Sequence, residues 1–346
     1  MNIFDKVQDA YKLKLPFVVY RKPNDNVVSG FFMTDDNLDY SSNFSESGFV
    51  FTPFNADEKA VLFSSKKSDF LSEELNLSAI EFDEKCFKSD EESKEKHISI
   101  VEKAIEIISN SDLQKVVISR KEIVEISNFD LLEIFRKLLK SYQNAFVSIW
   151  FHPKVGLWIG ATPETLLQIE NTSFKTMSLA GTQLYQPNKK VVWKSKELEE
   201  QQMVTDFIET QLAGISSNLK IDKTETIKAG SLLHLRTKVE GNLHKKATLK
   251  SLIRALHPTP AVCGLPRNLA KEFILKHENY DRSFYTGFLG ELNIDKKSSL
   301  FVNLRCMEIN QKTTSIYVGG GITKDSNAVK EWQETVSKSK TMKKVL

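Results

Sequence analysis

Short apolar runs, many of them alternating with polar positions, recur along almost the whole chain, and this pattern is typical of β-strands. Two runs, residues 145–151 and 156–161, are separated by four residues, which predicts a β-hairpin. Residues 115–126 alternate so regularly that Lys115 and Val117 fall on one face of the predicted strand. The other predicted strands are residues 17–20, 27–32, 49–54, 61–63, 162–170, 174–182, 224–230, 231–241, 284–292, 299–309 and 314–318.

Segments with apolar residues three or four positions apart lie between these strands and predict helices. Antiparallel hairpins with helices inserted between them predict an α+β fold with large, mainly antiparallel β-sheets and helices packed outside. The charged stretch from Ser64 to His97 predicts a surface loop and the start of a helix, and it is the best candidate for a boundary. The predicted helices before the last one are residues 2–13, 98–109, 130–142, 193–214, 247–256 and 267–276.

The C-terminal segment, Tyr317–Leu346, combines a strand end, three glycines and a helix rich in charged residues. Gly319–Gly321 predict an open loop of bare backbone. After this loop, Asp325 or Ser326 is suited to cap the last helix. The predicted buried stripe of that helix is Ala328, Trp332 and Val336.

Two predicted helices each carry a pair of glutamates three residues apart. The last helix has Glu331 and Glu334, and the helix at 193–214 has Glu197 and Glu200. Residues three apart share a helix face, so each pair costs about 0.2–0.5 kcal/mol unless a cation neutralises it. One such pair is more often a solvated helix face. Four carboxylates on two helices could converge, however, and oxygen ligands without His or Cys suit Mg²⁺.

The bulk composition excludes several classes of protein. Among 346 residues, 48 Lys and Arg stand against 45 Asp and Glu, and the lysines are interleaved with glutamates, which argues against a nucleic-acid partner. The absence of an export signal and of a membrane-spanning apolar run predicts a cytoplasmic protein without a membrane partner, and no long heptad stands out, which favours a monomer or weak homodimer. Three cysteines without C-x-x-C spacing argue against disulfides and zinc and are predicted to be reduced core or pocket-wall residues: Cys86, Cys263 and Cys306.

Several short motifs follow one another from about residue 97 to the C-terminus. They are LQKVVISR, IGATPETLL, LAGT, ELEEQQMVTDFI, LLHLRT, LHPTPAVCGLP, DRSFYTGFLGEL, FVNLRC and YVGGGI followed by EWQET. Together they resemble the chorismate-utilising enzyme family, which includes isochorismate synthase, salicylate synthase, anthranilate synthase component I and aminodeoxychorismate synthase. The resemblance implies the family's α+β fold, with residues 1–95 as its N-terminal part and residues 96–346 as the chorismate-binding catalytic region.

The resemblance also implies a Mg²⁺-dependent reaction at the ring of chorismate. Lys115 matches the family's general base, which must be uncharged to take a proton from the attacking water. Glu164 matches the general acid, which must be protonated to help the C4 hydroxyl leave. Without the family match, the two would be an exposed strand lysine and a turn carboxylate. Lysine at position 115 favours water over ammonia as nucleophile, and Ala180 stands where aminodeoxychorismate synthase has a nucleophilic lysine.

The other matched positions imply a metal site and an anion site. Glu200 and Glu334 match direct Mg²⁺ ligands, whereas Glu197 and Glu331 match ligands that bind directly or through water. The guanidinium of Arg305 is well shaped to hold the enolpyruvyl carboxylate. The implied substrate-binding residues are Gly181, Thr182, His234, Ala261, Tyr285, Arg305, Gly319, Gly321 and Lys338.

One position departs from the family's pattern. Gln201 stands where the family often has His, which would change the support of the neighbouring metal ligand Glu200. The leading hypothesis is isochorismate synthase, the entry step to menaquinone or to a catechol siderophore. Salicylate synthase, which goes on to eliminate pyruvate, fits Lys115 and Glu164 equally and stays open. A non-catalytic chorismate-binding protein, or a subunit that supports a glutamine amidotransferase, is the alternative from another class.

Overall fold

Two large antiparallel β-sheets, seen in a computed structural model, form the body of the protein. The structure describes residues 2–76, 91–126, 129–187, 189–229, 232–310 and 312–346. Within these residues, one sheet has nine strands and the other has ten. The predicted core residue Cys86 lies outside them, whereas Cys263 and Cys306 are buried free thiols, as predicted.

The helices and strands follow in order. The helices are α1 (Ile3–Lys12), α2 (Glu91–Asn110), α3 (Leu131–Ser141), α4 (Ser195–Ala213), α5 (Leu249–Leu256), α6 (Arg267–His277) and α7 (Ala328–Lys343). Across the first sheet the strands are β15 (Gly264–Leu265), β7 (Lys115–Glu125), β19 (Thr313–Ile322), β18 (Cys306–Asn310), β9 (Gly156–Thr162), β8 (Phe146–His152), β1 (Phe17–Arg21), β2 (Val27–Met33) and β6 (Ser68–Glu74). Across the second they are β12 (Ser216–Ile221), β14 (Leu232–Leu243), β11 (Ser173–Leu184), β10 (Thr165–Glu170), β17 (Lys297–Val302), β16 (Phe288–Ile294), β4 (Gly48–Thr52), β5 (Ala60–Ser64) and β3 (Tyr40–Ser41), with β13 (Glu225–Ala229) paired to β14.

The two sheets pack face to face across a core of aromatic rings. Phe146 of the first sheet stacks on Phe301 of the second with ring centroids 4.3 Å apart, and the rings of Trp150 and Phe51 lie 5.1 Å apart. Helices α1 and α3 cover the outer face of the first sheet, and α4 and α5 cover that of the second. Because β1 is covered on both faces, it is buried at every position. The predicted α+β fold with outer helices is confirmed.

Strands from the first 76 residues are part of both sheets. β1 pairs with β8, and β4 pairs with β16. The prediction of a surface loop and the start of a helix for residues 64–97 is wrong in part, since β6 is an edge strand paired with β2. Its residues are exposed or half-buried, so a charged sequence is tolerated there. Helix α2 does begin in this segment, at Glu91, and residues 77–90 lie outside the described part of the chain. Among the residues that the structure describes, no helix has the length and apolar character needed to cross a membrane.

The single strand predicted at 299–309 is in fact two strands in different sheets. β17 ends at Val302 in the second sheet, and β18 begins at Cys306 in the first. Between them, Arg305 has a φ of 47°, a left-handed conformation that a continuous strand does not contain. The chain therefore crosses between the sheets at this point, and the crossing places Arg305 beside a deep cavity.

Candidate active site

A cavity of about 1050 Å³, including its open mouth, lies between strands of both sheets and helices α4 and α7. All the residues predicted to act as acid, metal ligand or substrate contact lie in its wall. They are Glu164, Gly181, Thr182, Glu197, Glu200, His234, Ala261, Tyr285, Arg305, Gly319, Gly321, Glu331, Glu334 and Lys338. The fold thus brings together residues from distant parts of the sequence, while their individual roles stay predictions.

Lys115, the predicted base, lies directly behind this wall. It is the first residue of β7, its side chain is 1% exposed, and its Nζ donates a 2.6 Å hydrogen bond to Oε1 of Glu200. A Cβ on Gly321 would lie 3.0 Å from Cε of Lys115 and 3.0 Å from Oε1 of Glu200. Glycine at position 321 therefore keeps space free where this pair meets the cavity.

The three glycines do not form the open loop that the sequence predicts. They continue β19 and pair in register with β7. A Cβ on Gly319 would lie 2.9 Å from the carbonyl oxygen of Ile118 and 3.1 Å from the phenol oxygen of Tyr285, so a larger residue would clash. The glycines are explained by close approach of neighbouring groups, and they leave a strand of bare backbone along the cavity wall.

Helix α7 begins one or two residues later than predicted. Asn327 is the N-cap, and its side chain accepts a hydrogen bond from the backbone N–H of Lys330. Ser326 instead accepts one from the N–H of Thr323. The buried positions of the helix are Ala328, Glu331, Trp332, Thr335, Ser339 and Met342, so the stripe predicted through Val336 is displaced by one residue. This rotation turns Glu331 inward.

Three of the four predicted metal-binding carboxylates each form an ion pair with a different lysine. The pairs are Lys115–Glu200 at 2.6 Å, Lys196–Glu331 at 3.2 Å and Lys338–Glu334 at 2.7 Å. The fourth, Glu197, accepts a 3.0 Å hydrogen bond from the backbone N–H of Lys194 and so helps to cap α4. Sequence reasoning missed Lys196, because only the fold shows that it reaches across from α4 to α7.

This carboxylate cluster fits a divalent cation in its chemistry. Among the residues that the structure describes, no group of three His, Cys, Asp or Glu side chains is assembled as a ligand set. However, Oε2 of Glu331 and Oε1 of Glu334 lie 3.5 and 3.9 Å from the position of a Cβ on Gly320, and Glu200 adjoins Gly321. Oxygen ligands on two helices suit Mg²⁺, which would have to displace the lysines.

The two carboxylates of α7 differ in their affinity for a proton. Burial raises the pKa of Glu331, and the ion pair with Lys196 only partly offsets this effect. Burial also acts to raise the pKa of Glu334, but the ion pair with Lys338 outweighs it and lowers that pKa below its ordinary value. Glu334 is therefore ionised at neutral pH, as a direct metal ligand must be.

Glu164, the predicted acid, lies on the turn between β9 and β10 and is buried. Burial raises the pKa of its carboxyl group to about 7, although Lys115, Arg305 and Lys338 act in the opposite direction. At neutral pH, much of this group is protonated. Glu164 thus has the protonation state that a general acid requires.

Arg305 forms no ion pair with a carboxylate among the described residues. Its NH2 group lies 3.2 Å from Nε2 of His234, and Nδ1 of that histidine lies 3.1 Å from the carbonyl oxygen of Gly181. Burial, reinforced by the charges of Arg305 and Lys338, lowers the pKa of His234 to about 3, so its ring is neutral. Nδ1 therefore carries the hydrogen and donates to Gly181, and Nε2 accepts from Arg305. A half-buried cation without a carboxylate partner favours an anionic ligand.

A buried ion pair supports this end of the cavity from behind. Arg282 donates to both carboxylate oxygens of Glu278, at 2.7 and 2.6 Å. Arg282 also donates to the carbonyl oxygen of Val117, and Glu278 accepts from the N–H of Ser119, which ties the segment before Tyr285 to β7. Sequence reasoning missed this network, although Arg282 lies in one of the motifs, because nothing in the motif indicates its partner.

Comparison with known proteins assigns the chain to a family. The family model described as chorismate binding enzyme matches residues 52–346. The chain belongs to this family. It is 28% identical over 255 residues to the isochorismate synthase EntC of Escherichia coli, in an alignment that covers 70% of this chain and 65% of EntC. The chain thus matches slightly less than two thirds of that relative's length.

Solved structures confirm the fold implied by the family resemblance. The crystal structure of DhbC from Bacillus anthracis is similar with a TM-score of 0.82 and 25% identity, covering 99% of both chains. Anthranilate synthase component I from Streptococcus pneumoniae is similar with a TM-score of 0.69 and 20% identity, covering 94% of this chain and 89% of that chain. The second comparison concerns the fold alone.

Proposed function

We propose that this member of the chorismate binding enzyme family is a Mg²⁺-dependent isochorismate synthase. The reaction adds water at C2 of chorismate while the C4 hydroxyl leaves. The observation that carries the proposal is a single cavity at which a buried acid with a pKa of about 7, a buried lysine and a half-buried guanidinium meet. These three groups match the proton donor, the proton acceptor and the anion-binding group that the reaction needs.

Glu164 would act as the general acid. Its proton goes to the C4 hydroxyl oxygen, so that this group leaves as water when the C4–O bond breaks. The carboxyl group is suited to this step because burial keeps much of it protonated near neutral pH. A carboxyl group with an ordinary pKa would be almost fully ionised under the same conditions.

Lys115 would act as the general base. In its uncharged form it takes a proton from the water whose oxygen bonds to C2, so that one water is gained and one is lost over the reaction. Its side chain is fixed by burial and by the contact with Glu200, which holds Nζ next to the glycine strand of the cavity wall. This fixed position is what proton transfer to a reacting group requires.

The carboxylates of α4 and α7 would hold the cation. Glu200 and Glu334 are proposed as direct ligands, with Glu197 and Glu331 binding directly or through water. When bound, Mg²⁺ would act as a Lewis acid on the ring carboxylate of the substrate and so stabilise the charge that builds up on the ring.

The part of the cavity wall around Arg305 would bind the enolpyruvyl carboxylate. Arg305 presents its guanidinium there, and Tyr285 is a buried phenol whose pKa is raised by burial, so it stays a neutral hydrogen-bond donor. Lys338, Thr182 and the backbone along β11 and β19 would complete the contacts with the substrate. The dianionic substrate would then be held between a cation at one end and a guanidinium at the other.

The test is incubation of the purified protein with chorismate, with and without Mg²⁺, followed by chromatography of the products. We expect isochorismate only when the metal is present. Salicylate and pyruvate beside it would instead identify a salicylate synthase. Binding of chorismate without any product would identify a non-catalytic chorismate-binding protein or a partner subunit and would contradict the proposal. We further propose that the protein is cytoplasmic and that it is a monomer or weak dimer. Sedimentation of the purified chain would test the oligomeric state.

A further inference from the structure

Gln201, where the family often has His, is a buried residue of α4 with every polar atom in a hydrogen bond. Its Nε2 donates to Oγ of Ser178 at 2.8 Å, to the carbonyl oxygen of Ser178 at 3.2 Å and to Oγ1 of Thr237 at 2.9 Å. Its Oε1 accepts a 2.9 Å hydrogen bond from the backbone N–H of Ala180. Gln201 does not contact the carboxylate of its neighbour Glu200 in any described hydrogen bond, so it acts on the sheet rather than on the metal ligand.

The bond to Ala180 falls at an irregular point of the sheet. The pairing of β11 with β14 shifts register between Ala180 and Thr182, and Gly181 within this bulge has a φ of 65°. The bulge lines the cavity, and a Cβ on Gly181 would lie 3.2 Å from Cβ of Glu197 on α4. A side-chain acceptor is needed here because a bulge leaves ladder hydrogen bonds unmade.

From the bulge, a series of hydrogen bonds continues to the anion end of the cavity. The carbonyl oxygen of Gly181 accepts from Nδ1 of His234, and Nε2 of His234 accepts from Arg305. The buried side chain of Gln201 on α4 is therefore connected through three hydrogen bonds to the guanidinium of Arg305. The connection passes through Ala180 and Gly181.

We infer that Gln201 is a positioning residue that fixes the anion-binding bulge Ala180–Thr182 relative to helix α4. The carboxylates of α4 and the guanidinium of Arg305 thereby keep a fixed position relative to each other. The inference rests on the proposed function only for the identity of the bound anion. Glutamine suits this place because its amide offers two donors and an acceptor at once. A neutral histidine has one donor and one acceptor, which is enough to keep the bond to Ala180 and at most one of the others.

The chain offers a matched control on the same helix. Thr205 is buried one turn after Gln201, and its Oγ1 donates to the carbonyl oxygen of Gln201 and lies 2.7 Å from Oγ of Ser178. No described hydrogen bond joins it to the bulge. Gln201→Met removes the acceptor for Ala180 while keeping the side-chain length, whereas Thr205→Val disturbs the same buried network without touching that bond.

The experiment compares these variants by chorismate kinetics and by hydrogen exchange of the Ala180 amide. For Gln201→Met we expect a rise in KM of roughly tenfold or more, because small displacements of binding groups have large effects, together with faster exchange at Ala180. Thr205→Val should keep the wild-type KM and the wild-type exchange at Ala180. Gln201→His, which keeps an acceptor, should restore slow exchange and most of the affinity.

The outcomes separate this inference from the proposed function. Equal KM and equal exchange in Gln201→Met and Thr205→Val would overturn it, since Gln201 would then only contribute to packing. If the wild-type protein does not convert chorismate, the proposed function fails, and exchange at Ala180 alone decides whether Gln201 fixes the bulge. If Gln201→Met does not fold, Gln201→Asn, with an amide too short to reach both strands, replaces it in the same comparison.

Discussion

Two charged groups line the cavity, the carboxylates of α4 and α7 at what we call the carboxylate end and Arg305 at the anion end, and they differ in how their charges are balanced. At the carboxylate end, Glu200, Glu331 and Glu334 each have a lysine as ion-pair partner. At the other end, Arg305 contacts only neutral His234 among the described hydrogen bonds. A cation arriving at the first end must therefore displace ammonium groups, whereas an anion arriving at the second meets an uncompensated charge. We expect anion binding to need little rearrangement and metal binding to depend on the lysines.

The largest effect should come from the lysine that serves both as counter-ion and as proposed base. Lys115→Met should lower kcat by a factor of about 10²–10⁴, because it removes proton transfer from the attacking water. Lys196→Met is the matched control, since it also deprives one site carboxylate of its lysine but removes no proposed proton acceptor. Product formation at saturating chorismate and Mg²⁺ measures both. Similar losses in the two variants would show that Lys115 acts only as a counter-ion.

The second-largest effect should come from Arg305, whose loss should weaken chorismate binding without changing Mg²⁺ binding. Arg305→Met should weaken chorismate binding by about 2 kcal/mol, or roughly 30-fold in KM, because hydrogen bonds to a charged group are lost. The affinity for Mg²⁺, measured by calorimetry on the protein without substrate, should stay unchanged. Arg236→Met is a suitable control, since Arg236 lies on the same strand as His234 but pairs with Glu225 of β13. A large change in metal affinity in Arg305→Met would mean that the ends are not separate.

A smaller effect is expected from neutralising one metal ligand. Glu334→Gln should weaken Mg²⁺ binding about tenfold or more, because one charged oxygen ligand is lost from the set. It should change chorismate affinity in the absence of metal much less. Glu199→Gln makes the same charge change on an exposed residue next to Glu200 and provides the baseline. A Mg²⁺ titration of Glu334→Gln that overlays that of Glu199→Gln would rule out Glu334 as a ligand.

The sheets and helices were predictable because their signal is local. β1 and the hairpin of β8 and β9 are mostly apolar, and that pattern follows directly from their burial. The break at Arg305 was not predictable, since a left-handed residue within an apolar run leaves the composition of the run unchanged. The local sequence predicts a loop for the glycines of β19, because glycine is equally typical of turns, and only their pairing with β7 reveals the strand.

The site was predictable as a set of residues but not as a charge arrangement. Family motifs supplied the carboxylates, and the cavity contains them. Motifs cannot show that Lys196 reaches Glu331 or that Gln201 holds Ala180, because these contacts depend on how α4 is rotated against its neighbours. The buried stripe of α7 is likewise displaced by one residue from the prediction through Val336, since Glu331 is buried and pairs with Lys196 from another helix.

The smallest effect concerns Glu164, which lies under the influence of both ends, because Lys115 and Arg305 each oppose the rise in its pKa. The acid form is the active one, so its contribution should decline as pH rises through about 7. Wild-type kcat also depends on other groups, and the useful quantity is therefore the ratio of wild-type kcat to that of Glu164→Gln, which cannot donate a proton. This ratio should fall about fivefold between pH 7 and pH 8, as the protonated fraction drops from about a half to about a tenth. A ratio that stays constant from pH 6 to pH 8 would mean that Glu164 is not the proton donor, and that its burial serves only to place a carboxyl group between the two ends.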